Sequence, residues 1–149
     1  MGLRACLSEV LHLPARLVRR PTSLLQRGSL AVPVFLSGNR RRIFDFLVDS
    51  GSEAVVISGD AANAANLLPA GRVAFWGFGG TSSTAAYLLD EVKVVDIIQA
   101  KEDTRHDLIA IVDDRVKAFG VEGFLGLNWV EQFELVAFDY RNRRLVIER

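Results

Sequence analysis

The run Phe46-Leu47-Val48-Asp49-Ser50-Gly51 ends an apolar stretch on a carboxylate. An acid at the edge of a core is costly unless hydrogen bonds hold it. Ser50 offers a hydroxyl, and Gly51, having no Cβ, lets backbone amides come close to the acid. That grouping suits a carboxylate that must hold a water molecule. Taken alone, a tripeptide of this kind reads first as a solvated strand-to-turn segment. Two further segments stand out: the glycine cluster Gly77-Phe78-Gly79-Gly80, which suits a mobile hairpin end, and Phe124-Leu125-Gly126, a second apolar run that ends on glycine. Other chemistry is sparse. Cys6 is the only cysteine, which excludes an intramolecular disulfide and a thiolate metal cluster. His12 and His106 have no paired Cys, His or Asp spacing around them, so no metal site and no cofactor is expected.

Short strands must position these residues. LAVPVFLS and RRIFDFLVD flank Gly38-Asn39, a dipeptide suited to a tight hairpin turn, and in the second run Phe44, Phe46 and Val48 share one face. VVIS continues as strand, and GDAANAAN follows as a short helix with Ser58 as N-cap. RVAFWGF and TSSTAAYLLDEVKVVDII are strands joined through residues 77–80. LIAIV is a further strand, DDRVKAFG a short helix or turn ended by Gly120, and ELVAFDY pairs with RRLVIE around Arg141-Asn142. The predicted class is mainly β with one or two short helices. The β-run ending at Asp49 is echoed by the run ending at Gly126, a weak sign of two related half-units.

At 149 residues the chain fits one domain. Half of its residues are hydrophobic and 24% are charged, as in ordinary globular proteins. Eighteen Lys and Arg balance 18 Asp and Glu, so no overall field favours nucleic acid, and no such partner is expected. Residues 1–28 carry Arg4, Arg16, Arg19, Arg20 and Arg27 against the single acid Glu9, and read as a basic N-terminal arm, flexible or a removable pro-segment. Within it Leu7, Val10, Leu11 and Leu13 could make one amphipathic turn that docks on the domain or on a partner. Residues 29–149 form the domain proper. Glu9, His12, Pro14 and Arg16 interrupt any secretory apolar core, and no run is long enough to span a membrane, so the expected location is cytoplasmic.

In order along the chain, FLVDSGSEAVVIS, WGFGGTSS and GFLGLNWVEQFELVAFDY resemble the pattern of retropepsin-like aspartic peptidases: an apolar strand, Asp-Thr/Ser-Gly, a second apolar strand, a glycine-rich flap, then two apolar residues and glycine before a helix. The resemblance covers about residues 30–149. It implies a single-lobe, acid-protease-like closed β-barrel that works as a homodimer on peptide or protein substrates. Asp49 would be the catalytic residue. Ser50 and Gly51, with Phe124, Leu125 and Gly126, would support the catalytic loop. Ser52, Glu53, Gly77, Phe78, Gly79 and Gly80 would line or cover the substrate. Glu53 stands where many viral relatives have Asp, and Leu127 where an Arg is common, departures that bear on an ion pair known in those enzymes.

The implied mechanism needs no metal. Two Asp49 carboxylates, one per subunit and about 3 Å apart, share one proton because both cannot readily ionise. The ionised member takes a proton from water, the water attacks the scissile carbonyl, and the protonated member polarises that carbonyl. The rate should then be bell-shaped in pH. The alternative is a non-catalytic dimerisation or peptide-binding module that keeps the fold. The C-terminal run LVIE is the expected dimer edge.

Overall fold

Alternation of apolar and polar residues is what turns this chain into strands, and it starts earlier than residue 29. The computed structural model describes residues 10–18, 29–36, 39–77, 80–96 and 101–149. Val10–Pro14 (β1) alternates exposed and buried positions, with Leu11 and Leu13 inside and His12 outside. The period is two, so the amphipathic turn expected there is a strand. Arg16–Val18 (β2), Ser29–Leu36 (β3) and Asn39–Val48 (β4) follow. Val55–Ile57 (β5) leads into Gly59–Ala64 (α1), which is capped as expected: Ala61 N–H donates to the Ser58 hydroxyl at 3.1 Å. Pro69–Gly77 (β6), Gly80–Asp96 (β7) and Lys101–Val112 (β8) form a long meander. A 3-10 helix, Asp114–Phe119, ends at Gly120 in the left-handed conformation (φ 73°). Gly123–Leu125 (β9), Leu127–Val130 (α2), Leu135–Asp139 (β10) and Arg144–Glu148 (β11) complete the chain.

Eight strands pair in the order β2-β3-β4-β9-β5-β8-β7-β6, and a further β3–β7 pairing carries the ladder from β7 back to β3. The pairings are antiparallel except β4–β9 and β5–β8. The first of these parallel pairs sets β9 beside the strand that leads to Asp49, while β5, its other neighbour, is antiparallel to it. The interior is filled by Val32, Val34, Phe44, Phe46, Leu89, Val94, Leu125 and Trp129. A separate three-stranded sheet, β1-β11-β10, adds Leu11, Leu13, Leu145 and Ile147 to the same cluster.

Two expectations change here. Residues 10–18 lie in the segment read as an arm, yet β1 is bonded to β11 from Val10↔Glu148 to Pro14↔Arg144 and its leucines are core. Likewise, β11 is no free edge. It takes β1 on one side and β10 on the other, so its backbone groups are satisfied within the subunit.

The charged stretch 101–107 is also strand, although LIAIV alone was expected. Its inward acid, Asp103, is 1% exposed, and a buried charge must be paired. Arg105 Nε reaches it at 3.0 Å and Arg149 Nη2 at 2.8 Å, which ties the last residue to β8. No helix among the described residues is long and apolar enough to cross a membrane.

If β1 is core rather than arm, truncating one of its leucines creates a cavity. Leu13→Ala should lower unfolding free energy by about 2–5 kcal/mol in a urea titration; an unchanged midpoint would mean that β1 is dispensable.

Candidate active site

β4 delivers Asp49 where its ladder stops. Phe46, Leu47 and Val48 run parallel to Gly123, Phe124 and Leu125 of β9. One residue later Asp49 N–H donates to the Leu125 carbonyl at 2.9 Å. The chain then reverses. Ser52 N–H donates to the Asp49 carbonyl at 3.1 Å, and the Ser52 hydroxyl to the Ala54 carbonyl at 2.9 Å. Gly51 N–H donates to Asp49 Oδ1 at 3.0 Å, so the carboxylate is held by its own turn. A Cβ on Gly51 would lie 3.1 Å from that same oxygen, tighter than most such contacts. The chain leaves as β5, antiparallel to β9. β9 therefore runs between the strand that enters the loop and the strand that leaves it.

α2 closes the far side. Leu127 N–H donates to the Ser52 carbonyl at 2.6 Å and Asn128 N–H to the Glu53 carbonyl at 3.1 Å. The first amides of a helix have no partner within the helix, and here the loop carbonyls supply one. The crossing is close enough to demand glycine: a Cβ on Gly126 would collide with the Ala54 carbonyl group and lie 2.9 Å from Ser52 O. Asp49 is half-buried, and Ser50, Gly51 and Glu53 are exposed.

The loop thus brings together Asp49, Ser50, Gly51, Ser52, Glu53, Leu125 and Gly126. Phe124 goes elsewhere. Leu125 enters the main core, while the half-buried Phe124 faces the opposite way and meets Phe119 edge-on, with ring centroids 5.1 Å apart. It packs against two smaller clusters, one of Ala31, Leu47 and Val121, the other of Val56, Ile111 and Val116. Period-two alternation in β9 forces this split.

At the hairpin, Gly77 pairs with Gly80, while Phe78 and Gly79 lie outside the described residues. Below that end, Val73 and Phe75 of β6 pack on the cluster of Val56, Ile111 and Val116, and Trp76 is 83% exposed. Val73, Phe75 and Val56 were missed as candidates, although the alternation in RVAFWGF already puts Val73 and Phe75 on one face.

A cavity of about 450 Å³ opens between β7 and the 3-10 helix, lined by Phe75, Thr81 to Thr84, and Asp113 to Arg115; Asp49 is not in its wall. The Thr84 hydroxyl donates to the Val112 carbonyl at 2.8 Å and ties this part of β7 to the end of β8. Asp113 caps the 3-10 helix, accepting Arg115 N–H at 3.0 Å. The Arg115 side chain, together with that backbone N–H, holds the Asp113 carboxyl below the ordinary 3.8 against the opposing effect of partial burial.

The chain matches the aspartyl protease family over residues 32–129, which spans the Asp49 loop, the β6–β7 hairpin and β9 and ends within α2. It belongs to the retropepsin-like aspartic protease family. A retropepsin-like aspartic protease from Rickettsia conorii shares the fold, with a TM-score of 0.55 at 15% identity over 95% of this chain and 92% of that one. The retroviral protease-like domain of Ddi1 from Leishmania major is similar over 80% of this chain and 93% of its own, at 14% identity and a TM-score of 0.47. No curated protein sequence matches this retropepsin-like chain.

Gly126→Ala should cost about 3 kcal/mol or more, because the methyl group displaces backbone rather than a flexible side chain; denaturant unfolding measures this, and a cost below about 1 kcal/mol would mean that the crossing can relax. For Asp113 the folded-state value is depressed, so its stabilisation is present above 3.8 and is lost as pH falls through the folded value. Asp113→Asn keeps a capping side chain but loses the charge paired with Arg115, so it should cost about 0.5 kcal/mol, at most about 1, at pH ~7, and the difference from the unsubstituted protein should close in urea titrations carried progressively more acid.

Proposed function

We propose that this chain is an aspartic endopeptidase that hydrolyses peptide bonds by activating water between two Asp49 carboxylates, one from each subunit of a homodimer. The observation that carries the proposal is the hold on Asp49. Its backbone is bonded to β9, its carboxylate accepts the Gly51 amide, and its loop is backed by the first amides of α2. A general base or acid must keep its position while protons move, and a backbone-fixed carboxylate at a half-open position meets that need.

Family membership supports peptidase chemistry, and the return of the strand pairings to β3 supports the closed-barrel form of the fold. One loop of this kind per chain supports assembly on a twofold axis, where each copy supplies the same residue. Ser50, exposed beside Asp49, would face the partner's loop. Substrate would lie under the β6–β7 hairpin, with Ser52 and Glu53 along its backbone and Gly77 to Gly80 covering it. The half-buried Phe75 and Phe124, near Val56, supply apolar surface for its side chains.

Asp49→Asn tests the proposal. The carboxamide is nearly isosteric but can neither accept the water's proton nor share one across the pair, so cleavage of a mixed peptide library should fall to background. Circular dichroism and sedimentation should be unchanged. Asp45→Asn is the control: Asp45 pairs with Arg16 at 2.7 Å on the surface, a contact worth about 0–1 kcal/mol, and should keep most activity. Undiminished hydrolysis by Asp49→Asn would refute the peptidase assignment, and background cleavage by the unsubstituted dimer would favour the non-catalytic module.

A further inference from the structure

We propose that the cavity between β7 and the 3-10 helix is a subsite for a carboxamide side chain, glutamine above all, on a peptide lying in the cleft. This rests on the peptidase reading of the Asp49 site and names a residue that the site selects. The cavity holds about 450 Å³, within the range of small-ligand pockets. It adjoins the cleft through Phe75, which lines it and also packs on the cluster of Val56, Ile111 and Val116. Asp49 is not in its wall, so the side chain it takes belongs to a residue set apart from the scissile bond.

The sheet leaves this space open. β8 joins β7 only from Ala86 onward, so over residues 80–85 β7 has β6 on one side and, among the described residues, no strand on the other. Register decides which side chains face inward. Ser82 pairs with Phe75 and Thr84 with Val73, and both apolar partners pack toward Val116 of the 3-10 helix. Cross-strand partners share a face, so Ser82 and Thr84 face the same way. Thr84 spends its hydroxyl on the Val112 carbonyl, whereas the Ser82 hydroxyl has no partner among the described residues.

Hydrogen-bond capacity selects the occupant. Arg115 gives its backbone N–H, Nε and Nη2 to Asp113. Asp114 Oδ1 accepts the Gly59 N–H at 2.9 Å and has Lys117 Nζ 3.4 Å away. Both acids in the wall are therefore engaged. What remains unspent is donors, the Ser82 hydroxyl and Arg115 Nη1, neither with a partner among the described residues. An oxygen acceptor satisfies them. A carboxylate would also meet the charges of Asp113 and Asp114, and a lysine would meet Arg115 with both acids already paired. A leucine would take water from the donors and return no bond. A carboxamide is neutral, brings the acceptor, and carries an NH2 group that can donate to the open edge of β7.

The test is equilibrium binding to the full chain carrying Asp49→Asn, read by fluorescence anisotropy. The probes are pools of labelled octapeptides, fixed at each position in turn as Gln, Glu, Leu or Lys and randomised elsewhere. At one position the Gln pool should bind about 5-fold more tightly than the other three, the ratio that one or two net hydrogen bonds supply. Ser82→Ala should bring the Gln pool down to the level of the Leu pool. Arg115→Lys should do the same, because it keeps a charge beside Asp113 but loses the planar fork. Equal binding of all four pools at every position, a preference for Glu or Lys, or a Gln preference that survives both substitutions overturns the subsite. Cleavage of the same pools by the unsubstituted chain separates the two readings. Hydrolysis with no Gln preference overturns the cavity and leaves the peptidase, whereas a Gln preference in binding with no hydrolysis overturns the peptidase and leaves the cavity as a peptide-binding site.

Discussion

β9 passes between the two strands that carry the Asp49 loop, and most of what the site can do follows from that threading. On one side it is parallel to β4, on the other antiparallel to β5. Its last carbonyl, on Leu125, takes the Asp49 amide, and the next residue, Gly126, passes beneath the Ala54 carbonyl with no space for a side chain. The loop cannot shift without breaking ladder bonds on both flanks. A carboxylate in such a turn is held by covalent geometry and backbone hydrogen bonds, which restrict its side-chain rotamer freedom.

The rest of the molecule keeps this crossing in place. Parallel neighbours require long connections, and the β6–β7–β8 meander and the 3-10 helix are what the chain uses to return to β9 in the right direction. Those connections also build the surroundings of the loop. β6 lays Val73 and Phe75 over Val56 and Ile111, and the 3-10 helix is fastened at its start by Asp113 and to α1 by Asp114, whose Oδ1 accepts Gly59 N–H at 2.9 Å. That amide bond, and Lys117 after it, hold the Asp114 carboxyl below its ordinary value. The corner therefore stays ionised, and pinned, further into acid than free aspartates would.

The strand at Val10–Pro14 and the C-terminal strands are structural parts of the same unit. β1 and β10 flank β11, and Leu13, Leu145 and Ile147 are fully buried in the main cluster. Arg149 reaches Asp103 on β8 and joins Arg105 in pairing that buried charge.

Local patterns sufficed for much of this. The Asp49-Ser50-Gly51 turn after an apolar strand, the Ser58 cap, the stop at Gly120 and the terminal hairpin all depend on residues close together in sequence, whose propensities and turn chemistry act over a few positions. Three things were settled only by distant contacts. β1 was hidden because five residues between Val10 and Pro14 carry too little periodicity to distinguish a strand from a turn until β11 pairs with them. The strand over 101–107 was hidden because its inward acid is tolerable only once Arg105 and Arg149 surround it. Phe124 and Leu125 are adjacent and equally apolar, yet one faces the clusters under β6 and the other the main core, a choice that the pairing of β9 makes. The sequence by itself determined which acid ends a strand and which glycines allow close approach, because those are properties of single residues and their neighbours. Tertiary structure decided what Asp49 is locked against and which strands enclose β11, because both depend on segments brought together from far apart in the chain.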